Sequence, residues 1–206
     1  MIDPVDGTYN FLHGSTYWCS AIALKDTSDV LLGAIFQPEE DKLWLGGTAH
    51  AATLNGGALT TYHGPGAVPD GGARNATALA ELGAATYIHP TWLMDPLCAM
   101  PWHAAATSAA ALRMFGSGSC DLGRVADGQL GCWFQHSCPE WDWLPGKAIV
   151  RAAGGAPDTV RVNGRDWVMA GGTPAVGRVP PAREARAPAR DRARLRRPAG
   201  CARRGA

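Results

Sequence analysis

No stretch of the 206 residues approaches the ~18 consecutive apolar residues that a membrane-spanning helix needs, so no transmembrane helix is expected. The N-terminus shows neither the basic n-region nor the apolar h-region of a secretory signal. The six cysteines, Cys19, Cys98, Cys120, Cys132, Cys138 and Cys201, form no C-x-x-C pair. In a chain of this length without a secretion signal they read as reduced, mostly buried thiols, and the chain reads as cytoplasmic. No internal repeat is visible. What remains is a chain that is 46% hydrophobic, enough for one compact domain with a sizeable core.

Acidic residues are scarce where basic ones are dense. The net charge of +1 conceals two halves: residues 1–177 carry 9 Lys+Arg against 16 Asp+Glu, or −7, and residues 178–206 carry 10 Arg against 2 acids, or +8. The basic stretch lacks interleaved aromatics and an amphipathic period, so neither a nucleic-acid nor a membrane-surface role is expected of it. It offers almost no apolar surface to bury, which predicts a disordered, dispensable tail over 178–206 behind a domain over 1–177. Its Arg, Ala and Pro composition is what a shifted reading frame in GC-rich coding sequence produces.

Between these limits the pattern is mixed. Residues 17–24, 30–36 and 42–45 are short apolar runs separated by polar turns, which predicts an antiparallel meander, with Asn55-Gly56 as a hairpin turn. Residues 63–75 read as a Gly- and Pro-rich surface loop, and residues 77–82 as a short helix. Residues 85–88 read as a strand, and residues 101–113 as an Ala-rich helix started by Pro101. A short strand then runs into Gly116-Ser117-Gly118-Ser119, with a helix over 120–127 and a strand over 130–134. Residues 158–162 and 167–170 flank Asn163-Gly164 as a second hairpin. Strands alternating with helices in the second half predict an α/β fold, sheets covered by helices.

The stretch that carries chemistry is the first: Asp3-Pro4-Val5-Asp6-Gly7-Thr8-Tyr9-Asn10-Phe11. Pro4 biases Asp3 toward an extended conformation, and Gly7 permits a sharp turn and a close backbone approach to a ligand. Two carboxylates converging on one point repel unless a cation lies between them, and an all-oxygen ligand set suits Mg²⁺. The Gly7 and Thr8 amides open toward an anion. An Asp-Pro turn followed by an Asp-Gly turn is the plain alternative. Far downstream lies Trp141-Asp142-Trp143-Leu144-Pro145-Gly146-Lys147-Ala148-Ile149-Val150-Arg151-Ala152-Ala153-Gly154-Gly155, with Asp142 expected to N-cap a helix running to about residue 153.

These two stretches, in this order, resemble the two signatures of the inositol monophosphatase family of Mg²⁺-dependent, lithium-sensitive sugar-phosphate phosphatases; the likeness covers residues 1 to about 176. It departs from the family at Ala152, where Glu is usual. The resemblance implies that Asp3 and the Val5 carbonyl hold one Mg²⁺, and that Asp3, Asp6 and Asp142 hold a second. It further implies that Thr8 orients the attacking water, that the Gly7 and Thr8 amides bind the phosphate, and that Gly118 and Gln135 contact the substrate. Gln135 stands where inositol-specific members often have Glu. The implied substrate is a small phosphomonoester, inositol monophosphate first, with histidinol phosphate or a nucleotide 3′-phosphate as alternatives, or a non-catalytic protein that keeps the fold. A homodimer is an open option. In the family a long segment with two helices, a Glu-Glu pair and an Asp precedes the first signature; the resemblance thus implies that this chain lacks those helices and is nearly inactive.

Weaker candidates remain. Cys132, His136 and Cys138 have ligand-type side chains but no evident fourth partner for Zn²⁺. His13 and His103 are isolated, and the eight Trp residues read as core.

Overall fold

The computed structural model describes residues 1–59, 79–172 and 179. The loop expected over 63–75, the start of the helix expected at 77 and residues 180–206 lie outside the described residues.

The first third is a meander. Strands β1 (Ile2–Asp6), β2 (Cys19–Lys25), β3 (Val30–Gln37), β4 (Lys42–Gly47), β5 (His50–Leu54) and β6 (Gly57–Ala58) pair in sequence order, each antiparallel to the last. Asn55 and Gly56 both take positive φ, at 50° and 78°, which is what a two-residue hairpin turn demands. The five-residue helix α1 (Thr8–Leu12) interrupts the meander after β1.

The second sheet has the order β10-β11-β9-β7-β8, made of β7 (Gly83–Thr86), β8 (Ala111–Arg113), β9 (Cys132–His136), β10 (Asp158–Val162) and β11 (Arg165–Gly171). β7 runs parallel to both β8 and β9, and the β10–β11 hairpin is antiparallel. Three longer helices connect these strands: α2 (Pro96–Ala106), α3 (Gly118–Ala126) and α4 (Glu140–Ala152). The fold is α/β, as the alternation of strands and helices predicts.

The helix expected over 101–113 is displaced. It begins at Pro96, with Asp95 capping it by accepting the Leu97 amide at 2.9 Å, so Pro101 lies inside it rather than at its start. It ends at Ala106, because residues 111–113 pair with β7 and become β8. Tertiary pairing overrides the helix propensity of the alanines there. The strand expected immediately before the Gly-Ser loop is therefore β8, a few residues earlier. Residues 79–81 form a single 3₁₀ turn.

Helices α3 and α4 pack against each other between the two sheets. Ala21, Ile35 and Trp44 of the first sheet, Leu122 and Val125 of α3, Ile149 and Val150 of α4, and Trp133 of β9 form one buried cluster. Cys132 and Phe134 of β9 point to the other side, where they meet Ala105 of α2, Trp167 and Met169. Val179 is also buried in this second cluster, at 1% exposure. An aliphatic side chain just inside the basic stretch thus fills core space. Trp44, Trp133 and Trp167 are fully buried, but Trp141 is half exposed. Across the first sheet's outer face Ile22, Leu24, Phe36 and Leu43 stay exposed.

Two contacts show how tightly the helix pair is inserted. A Cβ on Gly33 of β3 would lie 2.1 Å from the Pro145 carbonyl oxygen, and one on Gly146 would lie 2.3 Å from Leu122 Cβ. α3 also carries a buried acid, Asp121, whose Oδ1 accepts the Tyr17 hydroxyl at 2.7 Å. One turn on, Arg124 donates to Glu40 and Gln37 and lies over the Tyr17 and Trp44 rings. Burial pushes the Asp121 carboxyl up to about 8.

Two measurements test this packing. Gly33→Ala should destabilise the fold by at least about 2 kcal/mol, because the clash is with backbone and cannot relax by a rotamer change; thermal unfolding should fall by roughly 5 °C or more. Asp121 keeps its proton in the folded state up to about pH 8 but loses it in the unfolded chain at the ordinary carboxylate value. Its contribution to stability is therefore fully present below about pH 4 and is lost as pH rises toward 8. Asp121→Asn, which sheds no proton, should gain in melting temperature relative to the parent steadily across that window. A constant difference across pH would overturn the assignment.

Candidate metal and phosphate site

Asp3 and Asp6 leave β1 on either side of a register irregularity against β2, so both approach the same end of the sheet. Asp3 Oδ1 accepts the Val5 amide at 3.1 Å, the turn that an Asp-Pro start favours. Gly7 then takes φ 87°, and a Cβ there would lie 3.2 Å from the Gly116 and Tyr17 carbonyl oxygens and from Ser117 Cβ. Only glycine fits this turn into α1 without strain. The Thr8 hydroxyl donates to the Val5 carbonyl at 2.9 Å, so two of the expected site groups are hydrogen-bonded to each other.

Asp142 arrives from α4. It is not the N-cap that the sequence suggests: Pro139 holds that position and Asp142 is the third helical residue. The reason is Pro139 itself, whose extended backbone (ψ 150°) ends the preceding segment and lets Glu140 begin the helix. An acid in the first turn still meets the positive end of the helix. One carboxylate oxygen each from Asp3, Asp6 and Asp142 lies within 4.8 Å of the others. Among the described residues this is the one group of three or more His, Cys, Asp or Glu side chains so arranged. Cys132, His136 and Cys138 do not form one: His136 is fully buried with its ring against Trp92 and Trp167, and Cys132 faces α2.

Burial raises two of these acids, and their mutual charge adds to it. Burial pushes the Asp142 carboxyl up to about 8, with the charges of Asp6 and Asp3 adding to the effect. Burial also raises Asp6, against the hydrogen bonds that Ser119 and Ser117 donate to it. Without a positive partner the Asp142 carboxyl holds its proton up to about pH 8; a divalent cation reverses that preference. Three carboxylates make a hard, all-oxygen donor set of the kind that takes Mg²⁺, and the group could hold a metal ion.

The second half of the site is the start of α3. The Gly116-Ser117-Gly118-Ser119 loop brings Ser117 to the N-cap, where its oxygen accepts the Cys120 amide at 3.3 Å. The Ser119 amide donates to Asp6 Oδ2 at 2.6 Å, and its hydroxyl donates to the Asp142 carbonyl at 3.2 Å. Ser119 therefore ties the Asp6 carboxylate to the backbone of α4 at Asp142. Nothing in the sequence marks Ser117, Ser119 or Cys19 as part of this site, beyond a Ser standing ahead of a helical stretch, a residue type that caps helices. Gly118, named as a substrate contact, lies between the two serines as the first residue of α3. Gln135 lies buried on β9, on the same face as Trp133, whose ring stacks on Trp143 next to Asp142.

Known proteins resemble this chain in sequence and in fold. The family profile described as the inositol monophosphatase family matches residues 1–194. Inositol-1-monophosphatase of Rhizobium meliloti (strain 1021) is 29% identical over 75% of this chain and 54% of its own length. The Nus factor SuhB of Escherichia coli (strain K12) is likewise 29% identical, over 75% of this chain and 54% of its length. The chain thus spans about half the length of these curated relatives. In three dimensions, inositol monophosphatase II of Staphylococcus aureus MSSA476 superposes with a TM-score of 0.71 at 18% identity, covering 86% of this chain and 64% of that one. With a profile match across nearly all of its length and two signatures that meet in one site, the chain belongs to the inositol monophosphatase family.

Proposed function

We propose that the chain carries the metal-binding half of an Mg²⁺-dependent phosphatase that hydrolyses a small phosphomonoester, inositol monophosphate foremost. The observation that supports this reading most directly is the meeting of Asp3, Asp6 and Asp142 within 4.8 Å, although Asp142 is more than a hundred positions away in sequence. Asp3, Asp6 and Asp142 would hold the metal, with the Val5 carbonyl beside Asp3. When bound, Mg²⁺ supplies positive charge to the phosphoryl oxygens and acidity to the attacking water.

The remaining work falls to the chain's own groups. The Gly7 and Thr8 amides, at the start of α1, bind the phosphate. Thr8 spends its proton on the Val5 carbonyl, which leaves its oxygen to accept a hydrogen bond from water and so orient it. Gly118 and Gln135 take the alcohol portion. Gln135 can hydrogen-bond a hydroxyl but carries no charge, so it does not single out one alcohol; histidinol phosphate and a nucleotide 3′-phosphate are the alternative substrates. A non-catalytic member that keeps the fold is the reading favoured by one different observation, the several relatives named Nus factor SuhB. Among the described residues no helix is long and apolar enough to cross a membrane. The five described cysteines are all free, which supports placement in the cytoplasm.

The test uses two readouts, Mg²⁺ binding and phosphate release from inositol 1-phosphate, histidinol phosphate and a nucleoside 3′-phosphate. Asp142→Asn should weaken Mg²⁺ binding and lower any Mg²⁺-dependent turnover by at least ~10²-fold, since loss of an outer-shell partner alone costs 10–100-fold. The raised Asp142 carboxyl sets the pH dependence. Binding requires the ionised form, so Mg²⁺ affinity should climb as pH rises toward about 8 and level off above it. The rise in melting temperature produced by Mg²⁺ should be larger at pH 8.5 than at pH 6.5. Mg²⁺ binding that is equal in the parent and Asp142→Asn would overturn the reading.

A further inference from the structure

Asp6 is held more firmly than the other two acids, and the group that holds it is one for which the reaction gives no separate use. Ser117 is 1% exposed and donates its hydroxyl to Asp6 Oδ2 at 3.1 Å. The same hydroxyl oxygen accepts the Cys120 amide at 3.3 Å, which leaves its single proton for Asp6, a far better acceptor than the Cys19 sulfur beside it. With the Ser119 amide at 2.6 Å on the same oxygen, Oδ2 has a donor for each of its two lone pairs. The Cys19 thiol approaches from the buried side, 4.0 Å from Oδ2 and 3.6 Å from the Ser117 hydroxyl. No partner among the described residues takes Oδ1. Ser117 is itself fixed from outside: Asn10, on the helix that follows Gly7, donates to the Phe115 carbonyl at 2.6 Å and to the Tyr17 carbonyl at 2.7 Å. Gly116 turns between them at φ 90°, where a Cβ would lie 3.0 Å from the Asn10 amide nitrogen.

From this arrangement we infer that Ser117, clamped by Asn10, is a positioning residue: it occupies Oδ2 of Asp6, so that Asp6 offers a divalent cation one oxygen, Oδ1, in a single orientation. The inference rests on the metal-site reading above. It separates two jobs at the start of α3, since Ser117 caps a helix through its lone pair and orients a ligand through its proton.

The experiment measures Mg²⁺ affinity by calorimetry well below the melting temperature, together with the melting temperature in EDTA, for the parent and four variants. Ser117→Ala should raise the Mg²⁺ dissociation constant about 10-fold, the low end for loss of an outer-shell partner. Ser117→Thr, which keeps the hydroxyl, should stay within about 3-fold of the parent. Asp95→Ala removes the cap of α2 instead and should lower the melting temperature with Mg²⁺ affinity unchanged. Asp6→Asn should lose binding. If Ser117→Ala binds Mg²⁺ as the parent does while Asp6→Asn does not, the positioning role is wrong and the site reading stands. If Asp6→Asn also binds as the parent does, both fall. An equal loss in Asp95→Ala and Ser117→Ala would reduce the effect to general stability and overturn the inference. Should Ser117→Ala not fold, Ser117→Cys, similar in size but a weak donor, carries the same test.

Discussion

The backbone of α4 lies directly on β3, because Gly33 has no side chain to hold the Pro145 carbonyl away. Much else follows from that approach. Pro145 comes three residues after Asp142, so the depth at which the helix sits sets how far the Asp142 carboxylate reaches toward β1. On the opposite side Gly146 lets α4 close on Leu122 of α3, which carries the loop that grips Asp6 one turn earlier. A metal site whose ligands come from a strand and from a helix in the other half of the chain needs those elements at a defined separation, and the absence of two side chains provides it.

The same insertion makes the interior acidic. Asp6 and Asp121 are each almost fully buried, and Asp142 half so. Each answers differently. Asp121 receives a Tyr17 hydroxyl and has Arg124 nearby, a closed arrangement within the fold. Asp6 receives an amide and a hydroxyl on one oxygen, and Asp142 meets burial first and then the charges of Asp6 and Asp3. The difference distinguishes an acid buried for structure from acids left for an external cation: the first has its partners within the chain, the others have each other.

Much of this was legible in the residues. The Asp3–Phe11 stretch and the Trp141–Gly155 stretch carried the family, and the polar turns at 25–29 and 37–41 marked the meander, because strand alternation and turn chemistry act over a few residues. Asp142 was misplaced by three positions as a cap, since Pro139 and Asp142 both satisfy the local rules for a helix start and only the packed helix chooses between them. Residues 107–113 read as helix and became a turn and a strand because β7 offered them a partner. Ser117 and Ser119 were read as part of a Gly-Ser loop, and nothing in their spacing tells which carboxylate they face.

The sequence by itself determined the chemistry available: three acids, a glycine at the turn that needs positive φ, and two helical stretches with serine or acid near their starts. It did so because these are properties of single residues and their immediate neighbours. The tertiary structure alone decided which acid is gripped, which is left repelling its neighbours and which is neutralised within the core. Those outcomes depend on burial and on donors brought from more than a hundred positions away, such as Ser119 to Asp6 and Tyr17 to Asp121. No local pattern encodes that proximity; it exists only once the helix pair is seated between the two sheets.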